Sequence, residues 1–179
     1  MRYIAAPWRE QYVTNAVRSK GCVFCDALKA GADRTTKILF RGVHHFIILN
    51  RFPYNTGHLM IAPYRHGAAV ERTSPEAAAE LMELMKTAIR ILRKRYRPQG
   101  FNAGMNLGRS AGAGVAGHYH LHVIPRWTGD ANFLPLIGGT KVVTEDLETT
   151  YERLFPLFAK ERMRLPDRKP DKPKTPKSR

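Results

Sequence analysis

Three histidines, His118, His120 and His122, alternate with Tyr119, Leu121 and Val123. A neutral imidazole is a competent nucleophile near pH 7, because its ordinary pKa lies at about 6.5. Three of the chain's seven histidines fall within these five residues. Alternation with period two marks a strand with one buried face. The pattern sends Tyr119, Leu121 and Val123 into the core and puts all three imidazoles on the opposite face. Alternate residues stand about 6.6 Å apart along a strand. Backbone spacing alone therefore does not bring the rings into contact, but their side chains can converge on one substrate. The preceding run, Gly108 to Gly117, carries four glycines in ten residues. Such a run lets backbone N–H groups approach an anionic ligand. Two other readings compete: a solvated strand face that happens to carry histidines, and a multi-histidine metal site, since imidazole suits zinc, copper and nickel.

His118, His120, His122, Val123 and Ile124 resemble the signature of the histidine triad (HIT) family, His-x-His-x-His followed by two apolar residues. The resemblance implies that the middle histidine, here His120, attacks the α-phosphate of a nucleotide. It then carries the nucleotidyl group until water or another acceptor removes it. A covalent intermediate of this kind divides one difficult displacement into two easier ones. The attacking nitrogen must be unprotonated, so the other ring nitrogen should donate to a carbonyl. His122 is placed to contact the phosphate or assist the leaving group. Ser110 and the loop amides around Gly112 and Gly114 could stabilise charge on the phosphoryl oxygens.

The resemblance extends beyond the triad. Between Ile47 and His66 stand an asparagine, a Gly-His pair, an apolar strand, Pro63 and a downstream histidine, all family features. By position, Asn50 matches a residue that binds ribose hydroxyls, and His58 matches a histidine that supports the triad. The plainer reading of Asn50 is a turn residue capping its strand, and of His58 a half-buried strand residue. Asn106, before the glycine loop, matches an asparagine near the phosphates or ribose. The loop departs from the family pattern at Gly114 and Val115, where many relatives carry Ser, Thr or Gln. That departure leaves the preferred leaving group or acceptor open.

From His118 to Lys141 the chain looks like the bacterial branch related to diadenosine tetraphosphate phosphorylases. Pro-Arg-Trp, Gly-Asp-x-Asn-Phe and Ile-Gly-Gly-Thr-Lys carry that likeness. The expected enzyme is therefore a nucleotidyltransferase or hydrolase that cleaves adenine dinucleoside polyphosphates at the α-phosphate. Inorganic phosphate is the expected acceptor, and Arg109 and Arg126 would concentrate it. The alternatives are a Hint-like adenosine phosphoramidase and a nucleotide- or nucleic-acid-binding module without turnover.

Cys22 and Cys25 form the chain's one CxxC pair. In a cytosolic protein this spacing means metal or redox chemistry more often than a structural disulfide. In zinc-bearing HIT relatives such a pair joins a histidine after the third strand and the first triad histidine. The resemblance thus implies a structural zinc held by Cys22, Cys25, His66 and His118. Two thiolates and two imidazoles make a closed tetrahedral site. The redox alternative is a reversible Cys22–Cys25 disulfide.

The elements that must hold these residues are legible from pattern. A helix is expected over 8–20, and a short helix or turn from Cys22 to Ala30, with Gly31-Ala32-Asp33 breaking it. Strands are expected at 37–41, 45–50, 58–63 and 101–107, with the histidine strand last. Asn55 and Gly57 mark the loop before His58. Ser74-Pro75-Glu76 opens the clearest helix, running to Arg97. Its stripe of Leu81, Leu84, Met85, Ala88, Ile89 and Leu92 recurs at helical spacing. A last helix, 144–163, contains Pro156, which should kink or interrupt it. The expected fold is α+β: an antiparallel sheet of about five strands with the 74–97 helix on one face. The resemblance adds a homodimer whose sheets join side by side.

Composition sets the outer limits. The chain has 179 residues and 43% apolar content, enough for one domain with a real core. That domain should span 22–163, after an N-terminal segment 1–21. The tail 164–179 holds seven basic and two acidic residues, +5 of the net +15, with almost nothing to bury. It reads as disordered. The basic body suits a polyphosphate substrate; nucleic acid is not the expected partner. No run approaches the ~20 apolar residues of a membrane span. The first ten residues are too polar for a signal peptide, so a cytoplasmic location is expected.

Overall fold

The computed structural model of the protein describes residues 21–130 and 145–162. The predicted helix over 8–20, the segment 131–144 and the basic tail 164–179 lie outside the described residues.

Five strands form one antiparallel sheet: β1 Ile38–Arg41, β2 His45–Leu49, β3 Leu59–Pro63, β4 Gly100–Met105 and β5 Leu121–Arg126. Their spatial order is β1-β2-β3-β5-β4. The histidine strand therefore lies between β3 and the edge strand β4, with His122 opposite Met60 on one side and Gly104 on the other. Four helices accompany the sheet: α1 Val23–Ala30, α2 Asp33–Thr36, α3 Pro75–Tyr96 and α4 Leu147–Arg162. The short α2 falls where the sequence pattern suggests only a break.

Alternation sorts each strand between two cores. Ile47, Leu49, Leu59, Ile61, Leu121 and Val123 pack against Leu81, Leu84, Ala88 and Leu92 of α3 and Tyr151, Leu154 and Phe158 of α4. The intervening residues Phe46, Ile48, Met60 and Ala62 meet Phe24, Ala27 and Leu28 of α1. Both faces are thus covered where one covered face is expected. All five residues of β2, and all five of β3, are buried as a result. In β1 the register shifts between Ile38 and Phe40. This bulge lets the successive residues Leu39 and Phe40 enter the same core.

Ser74 caps α3 as predicted, its Oγ accepting from the Ala77 N–H at 3.3 Å. Arg93, Lys94 and Arg95 complement the other end of the helix dipole. The helix ends as Arg97 turns left-handed at φ 47°. Pro156 does not interrupt α4, which runs unbroken to Arg162. Both Pro156 and Glu152, the residue whose carbonyl it leaves without a helical donor, are exposed, so water can satisfy that carbonyl. Arg34 and Lys37 form ion pairs with Glu148, and Arg34 with Glu152, fastening α4 beside α2 and β1.

Candidate active site and metal centre

The three triad imidazoles share one sheet face, as the alternation requires, but the strand begins only at Leu121. His118 and Tyr119 leave the ladder because their N–H groups turn elsewhere, to the Val115 carbonyl at 3.3 Å and the Gly67 carbonyl at 2.8 Å. The rings are buried, with His118, His120 and His122 at 0, 4 and 9% exposure. That excludes the solvated-face reading. The cover is Phe24 of α1, whose ring centroid lies 5.0 Å from His118 and 4.9 Å from His120.

Hydrogen-bond partners fix the tautomer of each ring. Nδ1 of His120 lies 2.9 Å from the His118 carbonyl oxygen. A carbonyl only accepts, so Nδ1 carries the proton and Nε2 keeps its lone pair. Among the described residues no buried side-chain nitrogen or oxygen lacks a partner. Nε2, for which no bond is found, therefore opens to the surface. His122 is set by a longer relay. The Tyr54 N–H donates to Nδ1 of His58 at 3.0 Å, and Asn50 Nδ2 lies 3.4 Å from the same atom. His58 must then carry its proton on Nε2, which lies 2.9 Å from Nδ1 of His122. His122 accepts there and presents Nε2–H outward. A bare imidazole nitrogen and an imidazole N–H thus sit side by side, with ring centroids 4.7 Å apart. The first can attack an electrophile; the second can donate to an oxyanion.

Burial holds these rings neutral. It lowers the pKa of His120 against the opposing bond to the His118 carbonyl. It takes His122 down to about 4, with His120 nearby adding to the effect. Both rings are therefore uncharged near pH 7, the state that attack and oxyanion donation require.

His118 belongs to a second site. Its Nε2–H donates to the Pro63 carbonyl at 2.9 Å, leaving the Nδ1 lone pair free. That atom lies 3.3 Å from Cys22 Sγ and 3.7 Å from Cys25 Sγ, while His66 Nδ1 is 3.3 Å from Cys25 Sγ. All four ligand atoms fall within 4.8 Å of one another. Zinc–ligand lengths of ~2.3 Å to sulfur and ~2.0 Å to nitrogen put a tetrahedral S···N edge at roughly 3.5 Å. The distances and donor set fit a four-coordinate metal ion, and both cysteines are free thiols. Without a cation, burial and the neighbouring Cys22 push the Cys25 thiol up to about 11. A bound divalent ion would reverse that, since it favours the thiolate. Burial likewise takes His118 down to about 4, sparing it a proton that would compete with metal. Among the described residues this is the single cluster of its kind, and it takes in one triad histidine rather than all three.

The remaining predicted residues are placed less tightly. Asn50 is buried, and its Oδ1 accepts the Phe52 N–H at 2.9 Å, closing the turn after β2. Asn106 is half-buried just past β4. Arg109 and Ser110 stand exposed in the 3-10 turn Arg109–Ala111, which Gly112 closes at φ 83°. Gly114 is half-buried in the loop that follows. Among the described residues, neither Arg109 nor Ser110 contacts the histidines through a hydrogen bond or ion pair. Arg126, expected to attract an anionic acceptor, is already engaged. It pairs with both Asp130 oxygens at 2.7 Å and donates to Asn102 Oδ1 at 2.6 Å. The bond from Arg126 holds the Asp130 carboxyl far below its usual range.

Two contributors escape sequence reasoning. The Tyr54 N–H sets the His58 relay through its backbone, which no side-chain pattern reports. Phe24 was readable as a packing residue, but its contact with the triad was not. The available signal is its place between two cysteines that share a site with His118.

Comparison with known proteins agrees with this geometry. The HIT domain model matches residues 32–129. An AP-4-A phosphorylase of Mycobacterium tuberculosis is 44% identical over 130 residues, covering 73% of this chain and 67% of that protein. A zinc-bound histidine triad family protein from Mycobacterium smegmatis superposes with a TM-score of 0.63 at 26% identity, covering 81% of this chain and 98% of that one. A hypothetical histidine triad nucleotide-binding protein from Sulfolobus tokodaii shares the fold, with a TM-score of 0.61 at 24% identity over 80% of this chain and 93% of that one.

Proposed function

The chain belongs to the histidine triad family, and on that premise we propose that it phosphorolyses diadenosine tetraphosphate through an AMP–His120 intermediate. The observation that carries this reading is the His120 tautomer. With Nδ1–H held by the His118 carbonyl, the open Nε2 has the lone pair needed for in-line attack. The likeness to the mycobacterial phosphorylase supports the substrate class.

Nε2 attacks the α-phosphorus, an N–P bond forms, and the P–O bond to the leaving ATP breaks. His122 Nε2–H donates to a phosphoryl or leaving oxygen as charge develops there. His58 keeps that proton on Nε2 by occupying Nδ1 of His122. In the second step an oxygen of inorganic phosphate attacks the adduct, the N–P bond breaks, and ADP departs. His120 regains its lone pair. Asn50 and Asn106 border the nucleotide, and Arg109, Ser110 and the amides at Gly112 and Gly114 receive phosphate oxygens when substrate brings the loop into contact. Glycine at 114 gives the acceptor no side-chain donor, which leaves Arg109 as the residue able to grip it bidentately.

Cys22, Cys25, His66 and His118 hold a structural zinc in this reading. It ties α1 to the start of the histidine segment and leaves His120 outside the ligand set. The β4 edge, none of whose residues is fully buried, is where a second copy extends the sheet. A sedimentation mass of one chain at micromolar concentration would reject that dimer.

The deciding experiment incubates diadenosine tetraphosphate with the enzyme, with and without phosphate, and resolves ADP from AMP. ADP with ATP at millimolar phosphate supports phosphorolysis. Dominant AMP makes the protein a hydrolase. An untouched dinucleotide alongside a cleaved adenosine phosphoramidate puts the Hint-like activity in its place.

A further inference from the structure

Behind the triad, on the face opposite the imidazoles, a polar chain crosses an otherwise apolar core. Glu80 of α3 accepts the Val43 N–H at Oε1, and the N–H groups of His44 and His45 at Oε2, 2.8 and 2.9 Å away. The same Oε2 lies 3.1 Å from Nδ1 of His45, a ring with no exposed surface. His45 Nε2 is 3.2 Å from the Tyr119 hydroxyl, and Thr73 Oγ1 donates to that hydroxyl at 3.0 Å. A carboxylate only accepts, so Nδ1 of His45 donates. Thr73 Oγ1 donates to the Tyr119 oxygen, so the Tyr119 O–H turns to His45 Nε2, which accepts it. Every proton from Thr73 to Glu80 has one direction.

The chain ends at a critical peptide. Tyr119 lies between His118 and His120, and its N–H is bonded to the Gly67 carbonyl. The oxygen of that same peptide unit belongs to His118, and it accepts Nδ1–H of His120. A tilt of this one plane would move the group that orients the His120 ring. The Tyr119 side chain is the part of the residue that reaches the rigid α3 framework.

We propose that Tyr119, His45 and Glu80 are positioning residues for His120: the gripped Tyr119 hydroxyl fixes the His118–Tyr119 peptide plane, and its carbonyl fixes the ring and tautomer of His120. This rests on His120 being the nucleophile. Replacing a fully bonded buried network by apolar groups of matched shape can be nearly neutral for stability. The role assigned here is therefore in reactivity, where small misplacements are costly.

The test compares wild type with Tyr119→Phe, His45→Asn, their double variant and Thr73→Val. Asparagine at 45 keeps a donor toward Glu80 and removes the acceptor for Tyr119. The readouts are the single-turnover rate of AMP transfer to His120 at saturating dinucleotide, the Kd of a non-reacting dinucleotide analogue, and the thermal midpoint. Tyr119→Phe and His45→Asn each lower the rate about five- to tenfold with Kd unchanged, as expected where the bond between Tyr119 and His45 that both remove governs alignment. The double variant is no slower than Tyr119→Phe alone, because both changes cut the same link. Thr73→Val, at the half-buried outer end, gives a smaller fall in the same step and serves if His45→Asn does not fold. Unchanged saturated rates in Tyr119→Phe and Thr73→Val overturn the inference, as does a loss confined to Kd or thermal midpoint. Wild type that takes no AMP on His120 refutes the proposed function itself, and that result is read without any variant.

Discussion

Replacing Phe24 should move the acid limb of the reaction to higher pH. The side chain is 1% exposed, and its ring lies against those of His118 and His120 and 6.3 Å from Phe46. Phe24→Ala removes the buried ring and leaves a cavity, which costs about 3–5 kcal/mol. For a chain of this size that lowers the thermal midpoint by roughly 6–20 °C. From the usual stability of about 5–15 kcal/mol this leaves about 0–12 kcal/mol at 25 °C, so a gentler variant accompanies Phe24→Ala. Phe24→Leu, which keeps most of the volume, costs about 1–2 kcal/mol.

The effect on reactivity follows from the sign of the pKa shift. Burial is the leading cause that holds His120 below its ordinary value. His120 attacks only when neutral, so the rate falls as pH drops through the folded-state pKa. Admitting water beside the ring lets the imidazolium be solvated, and the pKa rises toward the ordinary value of about 6.5. Activity is then lost at a higher pH than in wild type, most in Phe24→Ala and less in Phe24→Leu. Single-turnover labelling of His120 across the acid range measures the limb directly. A limb that stays in place in both variants, while the thermal midpoint falls, would refute the assignment of burial by Phe24 as the cause.

Two further outcomes test the other groups. Cys22→Ser removes one of four ligands and should weaken zinc by more than the roughly 10–100-fold typical of losing an outer-shell partner. Elemental analysis of protein never exposed to chelator gives about one zinc per wild-type chain; under a tenth of a zinc would sink the site. His58→Ala frees Nδ1 of His122, so its proton is no longer confined to Nε2. The rate should fall about tenfold or more at saturating substrate with affinity kept, and a change in Kd alone would contradict the relay.

The shared face of the triad and the need for a carbonyl partner on the attacking ring were legible; the order of the strands across the sheet was not. The alternation of the histidine segment predicted which of its residues face which way, because period two is a local property. The same pattern could not reveal that α1 covers the second face, since β2 and β3 read as ordinary apolar runs under either arrangement. Cys22, Cys25, His66 and His118 were found together only through resemblance: they are up to 96 residues apart, and spacing alone left metal and redox open. Arg126 misled because a basic residue beside the triad looks available, whereas Asp130, four positions on, takes both ends of its guanidinium. The Glu80–His45–Tyr119 chain was invisible because its members sit in α3, in β2 and in the segment before β5, with no motif joining them.

The central claim is that Nε2 of His120 forms a bond to phosphorus. Wild-type enzyme, mixed with diadenosine tetraphosphate without phosphate and quenched at alkaline pH, should yield one AMP adduct per chain, mapped by mass spectrometry to His120 and released by acid. Acid protonates the phosphoramidate nitrogen and makes it leave. An adduct mapped to His118 or His122, or turnover that persists in His120→Ala, would contradict the account.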